Sequence, residues 1–319
     1  MRKKIAFVFP GQGSQSVGMG KLLAEQAPWA QEAYLSLDKN LGISLSRYCF
    51  EGPESELLRT EITQPAIVAT SSLLCQSLIR EGISPDCTAG HSVGEYSALV
   101  ASGALDIESA VSLVHIRGKL MDAACPQGTG SMAALIGMNE EQVTLMIEKL
   151  DLGGESLDIA GLNCPGQVVI AGHVNALKTA VEKIREFGGR MGMMLSVSGP
   201  FHSRLMASAE RELSEKLQAA SFTDAKIPVY PNVNPVAVTD REKIKACLMA
   251  QLTKPVLWEK TIVQMIADGV VAFVEFGGGN VLSGMIRKID KQAQVYPVSE
   301  PKDVAKVCET LRSNQMVGA

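Results

Sequence analysis

Ser92 stands in the sequence Gly90-His91-Ser92-Val93-Gly94, a Gly-x-Ser-x-Gly pattern that could make it a nucleophile. Small residues on either side allow a tight turn between a strand and a helix, from which the serine hydroxyl projects. A short apolar segment from Cys87 precedes the turn, and a helical pattern follows from Glu95. Free N–H groups at the start of that helix would stabilise negative charge on the serine oxygen. The alternative interpretation is a glycine-rich turn with a capping serine.

A nucleophilic serine needs a base, and the chain has four histidines. His91 adjoins the serine and cannot easily face it. His115 lies within a predicted helix, and His173 begins another. His202 lies in an irregular segment that begins Ser-Gly-Pro, so by elimination it is the predicted base. The sequence assigns no Asp or Glu to orient it.

Arg117 lies at the margin of an apolar helical stripe that begins after Asp106, a candidate helix cap. Burying a guanidinium beside an apolar stripe costs free energy unless an anion pairs with it. The alternative is an arginine stem that packs on the core while its head stays in solvent. Arg117 is therefore a candidate for binding an anionic group of a substrate.

The glycine-rich segment at residues 11–16 follows the first predicted strand and fails two nucleotide-binding patterns. Ser16 stands where Gly-x-Gly-x-x-Gly needs its third glycine, and no Gly-x-x-x-x-Gly-Lys occurs in the chain. The backbone N–H groups of this loop are then free for another task. We expect them to contribute to an oxyanion hole.

The elements that must position these residues fall into two groups. The short apolar runs Ile5 to Phe9 and Val270 to Phe276 are typical of strands buried on both faces of a parallel sheet. Pro65 to Arg80 is predicted as a buried helix with Pro65 at its first position. After a linker at residues 126–130, residues 131–197 follow the order β-α-β-β-α-β of a ferredoxin-like unit.

The composition is that of an ordinary globular protein, with 46% hydrophobic and 20% charged residues. A net charge of −4 argues against nucleic acid as the main ligand. Seven cysteines without a Cys-x-x-Cys pair, and no histidine at metal spacing, predict reduced thiols and no metal site. No uninterrupted run of about 18 apolar residues predicts a membrane span. The apolar run after Lys4 is too short for a signal peptide, so we expect a cytoplasmic protein.

Taken together, the motifs resemble those of the malonyl-CoA:acyl carrier protein transacylases of fatty acid synthesis. The matching segments are residues 7–15, 63–66, 90–99, 117–118, 165–172, 201–203 and 281–282. The resemblance implies an α/β-hydrolase-like large domain with a parallel sheet core, residues 1–126 and 198–319. It also implies an inserted ferredoxin-like small domain, residues 127–197. We expect a monomer that needs no cofactor.

The resemblance implies roles for the residues that match the motifs. Ser92 would be the nucleophile, His202 the base, and Arg117 the clamp on the malonyl carboxylate. In this family a main-chain carbonyl orients the histidine in place of an acid. The matching position is Gln251, which would account for the missing Asp.

Further positions match the family in its pocket. The backbone N–H groups of Gln12 and Val93 would form the oxyanion hole. Gln64 and Asn232 match positions that line the pocket. Phe201 matches a bulky residue that limits the room for a substituent at the α-carbon of the acyl group.

Two positions depart from the family pattern. Gly161 stands where the family often has the first Asn of Asn-x-Asn, so any contact that this Asn side chain makes in the family is missing here. Gly278 stands where proline is common. We expect Gly278 to loosen its turn without affecting the chemistry.

The implied reaction takes a malonyl group from malonyl-CoA, releases coenzyme A, and passes the group to the pantetheine thiol of an acyl carrier protein. The alternatives are a thioesterase or lipase, and an idle docking or scaffold subunit. Arg117 disfavours a hydrolase, since a simple acyl ester has no carboxylate to bind, and the intact Ser92 and His202 disfavour an idle subunit. Whether the acyl group serves fatty acid or polyketide assembly stays open.

Carrier proteins of this type are acidic, so a local basic surface is expected despite the negative net charge. The candidates on the insert are Lys178, Lys183, Arg185 and Arg190, followed by Arg287 and Lys288. The alternative for these side chains is a solvated helix face.

Overall fold

The structure is a computed structural model and describes residues 4–126 and 128–316. The strands are β1 (Lys4–Phe9), β2 (Cys87–Gly90), β3 (Gly130–Ile136), β4 (Leu157–Cys164), β5 (Gln167–His173), β6 (Met191–Met194), β7 (Val229–Tyr230), β8 (Val270–Phe276) and β9 (Gln294–Val298). The helices are α1 (Lys21–Gln26), α2 (Pro28–Leu41), α3 (Leu45–Glu51), α4 (Glu54–Leu57), α5 (Thr60–Arg80), α6 (Gly94–Ser102), α7 (Ile107–Ala123), α8 (Glu140–Lys149), α9 (Val174–Lys183), α10 (Ala207–Ala219), α11 (Arg241–Ala250), α12 (Trp258–Ala267), α13 (Val281–Ile289) and α14 (Pro301–Met316). Of the predicted linker at residues 126–130, Gln127 lies outside the described residues.

The first sheet is parallel and has the strand order β7-β2-β1-β8-β9. Its central strand β1 is buried from Ile5 to Phe9. Phe7 and Phe9 pack into the main core on one face, and Ala6 and Val8 pack into a second core on the other. The continuous apolar run therefore marks a strand covered on both faces, as predicted.

Strand β7, at the edge of the parallel sheet, is short. Pro228 and Pro231 flank its two residues and have no N–H to donate to a neighbouring strand. Pairing with β2 is therefore limited to two residues. The chain then leaves the sheet edge in a loop that carries Asn232.

The second sheet is antiparallel and has the strand order β4-β5-β3-β6. Its elements follow one another as β3-α8-β4-β5-α9-β6, the order predicted for residues 131–197. Successive side chains of a strand point to opposite faces. Val168 and Ile170 therefore join a separate core with α8 and α9, while Val169 and Ala171 join the main core.

Strand β6 ends at Met194, three residues before its predicted end. Leu195 still donates a hydrogen bond to the Met132 carbonyl at 2.9 Å. Pro200 then packs on Gly130, where an added Cβ would lie 2.5 Å from the proline ring. Residues 195–197 lie outside the regular strand.

Helix α5 begins at Thr60, so the prediction that Pro65 is its first residue is wrong. Inside a helix, a proline at this position cannot donate to the carbonyl of Glu61. His115 on α7 donates its Nδ1–H to that carbonyl at 2.7 Å. A partner from another helix therefore satisfies the group that the proline leaves open, which local sequence rules do not foresee.

By its length and a mean hydropathy of 1.3, α5 would also suffice to cross a membrane. In the structure, 83% of that apolar window is buried inside the protein. The core helix of a soluble protein passes the same test of length and composition. The burial of α5 is that of a core helix.

Candidate active site

Ser92 lies on a tight turn between β2 and α6, and its φ of 51° is in the left-handed region. An added Cβ at Gly90 would lie 2.0 Å from the Gly94 carbonyl carbon. An added Cβ at Gly94 would lie 2.2 Å from the Phe9 carbonyl oxygen. Both distances are far below van der Waals contact, so only glycine fits on either side. The turn is the one that the Gly-x-Ser-x-Gly pattern predicts.

His202 lies beside Ser92, and its Nε2 is 2.7 Å from the Ser92 Oγ. Its Nδ1 is 2.8 Å from the main-chain carbonyl oxygen of Gln251. Because a carbonyl only accepts, Nδ1 carries the proton and Nε2 is free to accept one from the serine. Burial, helped by the positive charge of Arg117, lowers the pKa of His202 to about 3. The imidazole is therefore neutral at physiological pH, the form that a general base needs.

Arg117 is almost fully buried on α7, with 1% of its surface exposed. Its Nη1 donates to Gln64 Oε1 at 2.7 Å, and its Nη2 donates to Gln251 Oε1 at 2.9 Å. Nη2 also lies 3.3 Å from Ser92 Oγ. Among the described residues these partners are neutral oxygens, and Nε has no partner. A buried cation held in this way can bind a carboxylate beside the serine.

A cavity of about 250 Å³ opens in front of these groups. The predicted site residues on its lining are Gln12, Ser92, Val93, Arg117, Phe201 and His202. Further lining residues come from β3, β4, β5 and the segment after β6: Met132, Ala160, Gly161, Asn163, Val169, Leu195 and Val197. Within the described part of the chain, neither the Gln12 nor the Val93 amide donates to another group. Both amides can therefore bind an oxyanion.

Gln64 and Asn232 lie one layer behind the cavity. Gln64 is buried and contacts the site through Arg117. Asn232 braces the serine turn, because its Oδ1 accepts from the Ser92 N–H at 2.7 Å and its Nδ2 donates to the Gly90 carbonyl at 2.6 Å. These two side chains hold groups that line the cavity.

The other histidines have separate environments. His91 lines the cavity, and its Nε2 is 3.0 Å from Asn163 Oδ1 on β4. Burial lowers the pKa of His91. His173 accepts at Nδ1 from the Ser156 N–H at 3.0 Å, which ties the start of α9 to the residue before β4. Within residues 4–126 and 128–316, no group of three or more His, Cys, Asp or Glu could hold a metal ion.

Comparison with known proteins gives a consistent family. The acyl transferase domain family matches residues 6–316. The malonyl CoA-acyl carrier protein transacylase of Bacillus subtilis (strain 168) is 44% identical over 309 residues, which cover 97% of this chain and 98% of the relative. The protein of that name from Staphylococcus aureus (strain MW2) is 40% identical over 301 residues, which cover 94% and 97%. The chain belongs to the acyl transferase family.

Solved structures of similar proteins share the fold. The malonyl CoA-acyl carrier protein transacylase from Clostridium perfringens has a TM-score of 0.94 at 38% identity, covering 99% of both chains. A malonyl-transacylase in complex with its type II PKS acyl-carrier protein has a TM-score of 0.93 at 35% identity, covering 96% of this chain and 99% of that one. The α/β fold of this acyl transferase, with a parallel sheet and a separate antiparallel sheet, matches these structures.

The acyl transferase site also contains a residue that sequence reasoning did not assign. Glu95 is 1% exposed, and its Oε2 accepts from Gln251 Nε2 at 2.7 Å. Burial raises the pKa of Glu95 to about 7. The residue lies within the matched segment at positions 90–99. A carboxylate in the first turn of a helix is usually explained by the helix dipole, so its local sequence gave no signal of a role in the site.

The two departures from the family pattern have different surroundings. Gly161 lines the cavity, and an added Cβ there would lie 3.3 Å from Asn163 Oδ1. This distance is short, but a small shift of Asn163 would make room for a side chain. An added Cβ at Gly278 would lie 2.2 Å from the Ser14 carbonyl oxygen. The chain at Gly278 therefore packs closely on the loop that carries Gln12, and the expected loosening of this turn stays a prediction.

Proposed function

We propose that this chain is an S-malonyltransferase that moves a malonyl group from malonyl-CoA to the pantetheine thiol of an acyl carrier protein in fatty acid biosynthesis. The names of its relatives agree with this function. The observation that carries it is the buried guanidinium of Arg117, 3.3 Å from the Ser92 hydroxyl and bonded to neutral oxygens. This cation beside a nucleophile suits an acyl group that ends in a carboxylate.

In the first half-reaction, Ser92 Oγ attacks the thioester carbonyl of malonyl-CoA while His202 Nε2 takes the hydroxyl proton. The carbonyl oxygen becomes an oxyanion that accepts hydrogen bonds from the Gln12 and Val93 amides. When the tetrahedral intermediate collapses, the carbon–sulfur bond breaks and His202 returns the proton to the departing sulfur. Coenzyme A leaves as a thiol, and the malonyl group stays on Ser92 as an ester.

The second half-reaction runs through the same groups. His202 takes the proton of the pantetheine thiol, and the thiolate sulfur attacks the malonyl-serine carbonyl. The ester bond to Ser92 breaks, and the serine oxygen recovers the proton from His202. The product is a malonyl thioester of the carrier protein, so the two thiols use one site in turn and the kinetics are ping-pong.

Arg117 selects the acyl group in this proposal. Gln64 and Gln251 hold two arms of its guanidinium, which fixes the plane that a carboxylate would meet. An acetyl group would leave this buried cation without an anion. Phe201, 5% exposed on the cavity lining, limits the space at the α-carbon.

The domain boundaries are part of the proposal. Residues 1–126 and 198–319 form an α/β-hydrolase-like catalytic domain, and residues 127–197 form a ferredoxin-like insert. The parallel sheet supports the first name, and the order β4-β5-β3-β6 with both helices on one face supports the second. A monomer in the cytoplasm also remains part of the proposal.

The carrier protein needs a basic surface near the cavity mouth. Lys178 and Lys183 are exposed on α9, which covers the sheet face away from the cavity lining. Arg287 and Lys288 are exposed on α13, whose residue Met285 lines the cavity. We therefore favour the surface around α13 over the helix of the insert as the docking site for an acidic carrier protein.

Intact-protein mass spectrometry tests the function directly. After mixing with malonyl-CoA, the wild type should gain one malonyl group, and peptide mapping should place it on Ser92. Ser92→Ala should gain none while keeping the melting temperature of the wild type, because alanine fits the turn and lacks the nucleophile. Adding carrier protein with its pantetheine arm should remove the group from the wild type. Acylation of Ser92→Ala, or water removing the group as fast as the carrier does, would contradict the proposal.

A further inference from the structure

Glu95 is a buried acidic side chain that the reaction above does not use. It lies in the first turn of α6, three residues after Ser92, with 1% of its surface exposed. A buried carboxylate needs hydrogen-bond donors to offset its loss of water. The identity of those donors shows what the side chain holds in place.

Two donors meet a single oxygen of Glu95. Its Oε2 accepts from the backbone N–H of Asn232 at 3.0 Å and from Nε2 of Gln251 at 2.7 Å. Asn232 lies in the loop after β7, and Gln251 lies directly after α11. One carboxylate oxygen therefore ties two distant segments of the chain to the helix that follows Ser92.

Each of the two segments holds part of the reacting groups. Asn232 bonds the Ser92 N–H and the Gly90 carbonyl, and so fixes the turn. The Gln251 carbonyl accepts from His202 Nδ1, and its side-chain Oε1 accepts from Arg117. The Gln251 Nε2 that reaches Glu95 also lies 3.1 Å from the Ser92 carbonyl. The serine turn, the histidine and the arginine are thus connected through Glu95.

We infer that Glu95 is a positioning residue, whose Oε2 sets the places of Ser92, His202 and Arg117 by holding the Asn232 and Gln251 segments. The inference rests on the proposed function for what the site does with that geometry. It attributes the positioning of these three residues to the accepting oxygen, which the Glu95 side chain holds at a fixed distance from α6. The alternative is that the negative charge of Glu95 positions them, as a counter-charge to Arg117.

The protonation state of Glu95 supports hydrogen-bond acceptance, and not negative charge, as the cause of this positioning. Its pKa, raised by burial to about 7, leaves the carboxyl partly protonated near neutral pH. An Oε2 that accepts from two N–H groups keeps that capacity when the proton sits on Oε1. The holding contacts therefore persist in both forms, whereas the charge does not.

Two substitutions separate the oxygen from the charge. Glu95→Gln keeps the reach and one accepting oxygen and removes the charge. Glu95→Asp keeps the charge and withdraws the oxygen by one methylene. Asp38→Asn is a matched control, because the Asp38 carboxylate accepts from Ser46 between α2 and α3 and takes no part in the site.

The readouts are the rate of Ser92 acylation at saturating malonyl-CoA, the kcat/KM ratio of malonyl-CoA to acetyl-CoA, and the melting temperature. We expect Glu95→Gln and Asp38→Asn to acylate within about threefold of the wild type. We expect Glu95→Asp to acylate about 100-fold more slowly, the effect of displacing a reacting group by about 1 Å. Its preference for malonyl should also narrow, because Arg117 loses its alignment through Gln251.

The opposite order, with Glu95→Asp active and Glu95→Gln impaired, would assign the effect to charge and overturn the inference. Equal activity of all variants would overturn it as well. The rate of labelling of Ser92 by a serine-reactive sulfonyl fluoride gives a readout that needs no malonyl group. If the wild type reacts with this probe but not with malonyl-CoA, the proposed function fails, and the ranking of the variants by the probe still decides the role of Glu95.

Discussion

One wall of the cavity carries Ser92, His202 and Arg117, held by a network of buried hydrogen bonds. The other wall comes from the antiparallel sheet and its exit segment, and it is mostly apolar, with side chains such as Val169 and Leu195. The first wall can move protons and bind charge, whereas the second can only exclude water and limit size. Substitutions in the two walls should therefore change different kinetic quantities.

The two walls also differ in how the chain builds them. The polar wall takes its groups from three separate segments, around residues 92, 117 and 202, and depends on their alignment by a fourth segment around residue 251. The apolar wall takes alternate residues of neighbouring strands, so its geometry follows from the pleat of one sheet. A small error in alignment should harm the polar wall far more than the apolar one.

The largest expected difference between the walls comes from Arg117→Ala. The wild type should prefer malonyl-CoA over acetyl-CoA because an unpaired buried guanidinium costs about 3 to 5 kcal/mol, or about two to four decades in kcat/KM. Arg117→Ala removes that penalty for the acetyl group and the counter-charge for the malonyl group. The ratio of kcat/KM for malonyl-CoA to kcat/KM for acetyl-CoA should therefore fall by that factor or drop below one. The measurement is kcat/KM for both substrates with carrier protein as the acceptor.

Arg117→Lys is the matched variant for this test. It keeps the charge but lacks the planar pair of donors, so it should restore the preference only in part. If Arg117→Ala retained the wild-type ratio, the malonyl carboxylate would have to be bound by another group, and the division between the walls would not hold.

A second difference is the response of stability to pH. The folded-state pKa of His202 is about 3, lowered by burial and by the charges of Arg117 and His91, against about 6.5 when unfolded. Below pH 6.5 the unfolded chain binds a proton that the folded chain does not, so stability is lost as the pH falls toward 3. Between pH 7 and pH 4, the wild type should lose on the order of 2 to 3 kcal/mol more unfolding free energy than His202→Gln.

Chemical denaturation at each pH measures this difference. Glu95 acts in the opposite direction, because its raised pKa adds stability as the pH falls from about 7, but it is present in both proteins and cancels. Val169→Ala in the apolar wall should leave the pH slope of the wild type unchanged. Parallel slopes for the wild type and His202→Gln would mean that His202 is protonated in the folded protein at moderately acidic pH.

The sequence indicated the residues of the polar wall and three of their supports, Gln64, Asn232 and Gln251, but not Glu95. Ser92 followed from a local turn pattern, and His202 from elimination among four histidines. Glu95 could not be found in this way, because the groups that donate hydrogen bonds to it belong to Asn232 and Gln251, 137 and 156 residues away along the chain.

Strands β1 and β8 of the parallel sheet were predicted for a simple physical reason. A strand covered on both faces needs apolar side chains throughout, and Ile5 to Phe9 satisfies that need with local information alone. The predicted start of α5 was wrong. The rule that a proline stands at the first position of a helix holds only while no other element supplies the hydrogen-bond donor that the proline lacks. His115 supplies it from α7.

Phe201 lies on the cavity lining directly before His202, and its substitution should change size selection. Phe201→Ser removes the ring that we propose limits space at the α-carbon, so methylmalonyl-CoA should gain on the order of tenfold in kcat/KM relative to malonyl-CoA. Competition between the two substrates measures the change. The malonyl-to-acetyl ratio serves as the internal control, since Arg117 is untouched, and an unchanged methylmalonyl preference would show that the ring does not limit this space.

The smallest effect is expected from the apolar wall itself. Val169→Ala removes apolar contact that malonyl and acetyl groups share, so KM should rise about threefold to fivefold for both substrates with kcat nearly unchanged. Its neighbour Ile170 points to the opposite face of β5, into the core with α8 and α9. Ile170→Val should therefore cost about 1 kcal/mol of unfolding free energy while leaving both KM values as in the wild type. If Val169→Ala changed the malonyl-to-acetyl ratio as Arg117→Ala does, the apolar wall would take part in recognising the carboxylate, and chemistry and shape would not be divided between the two walls.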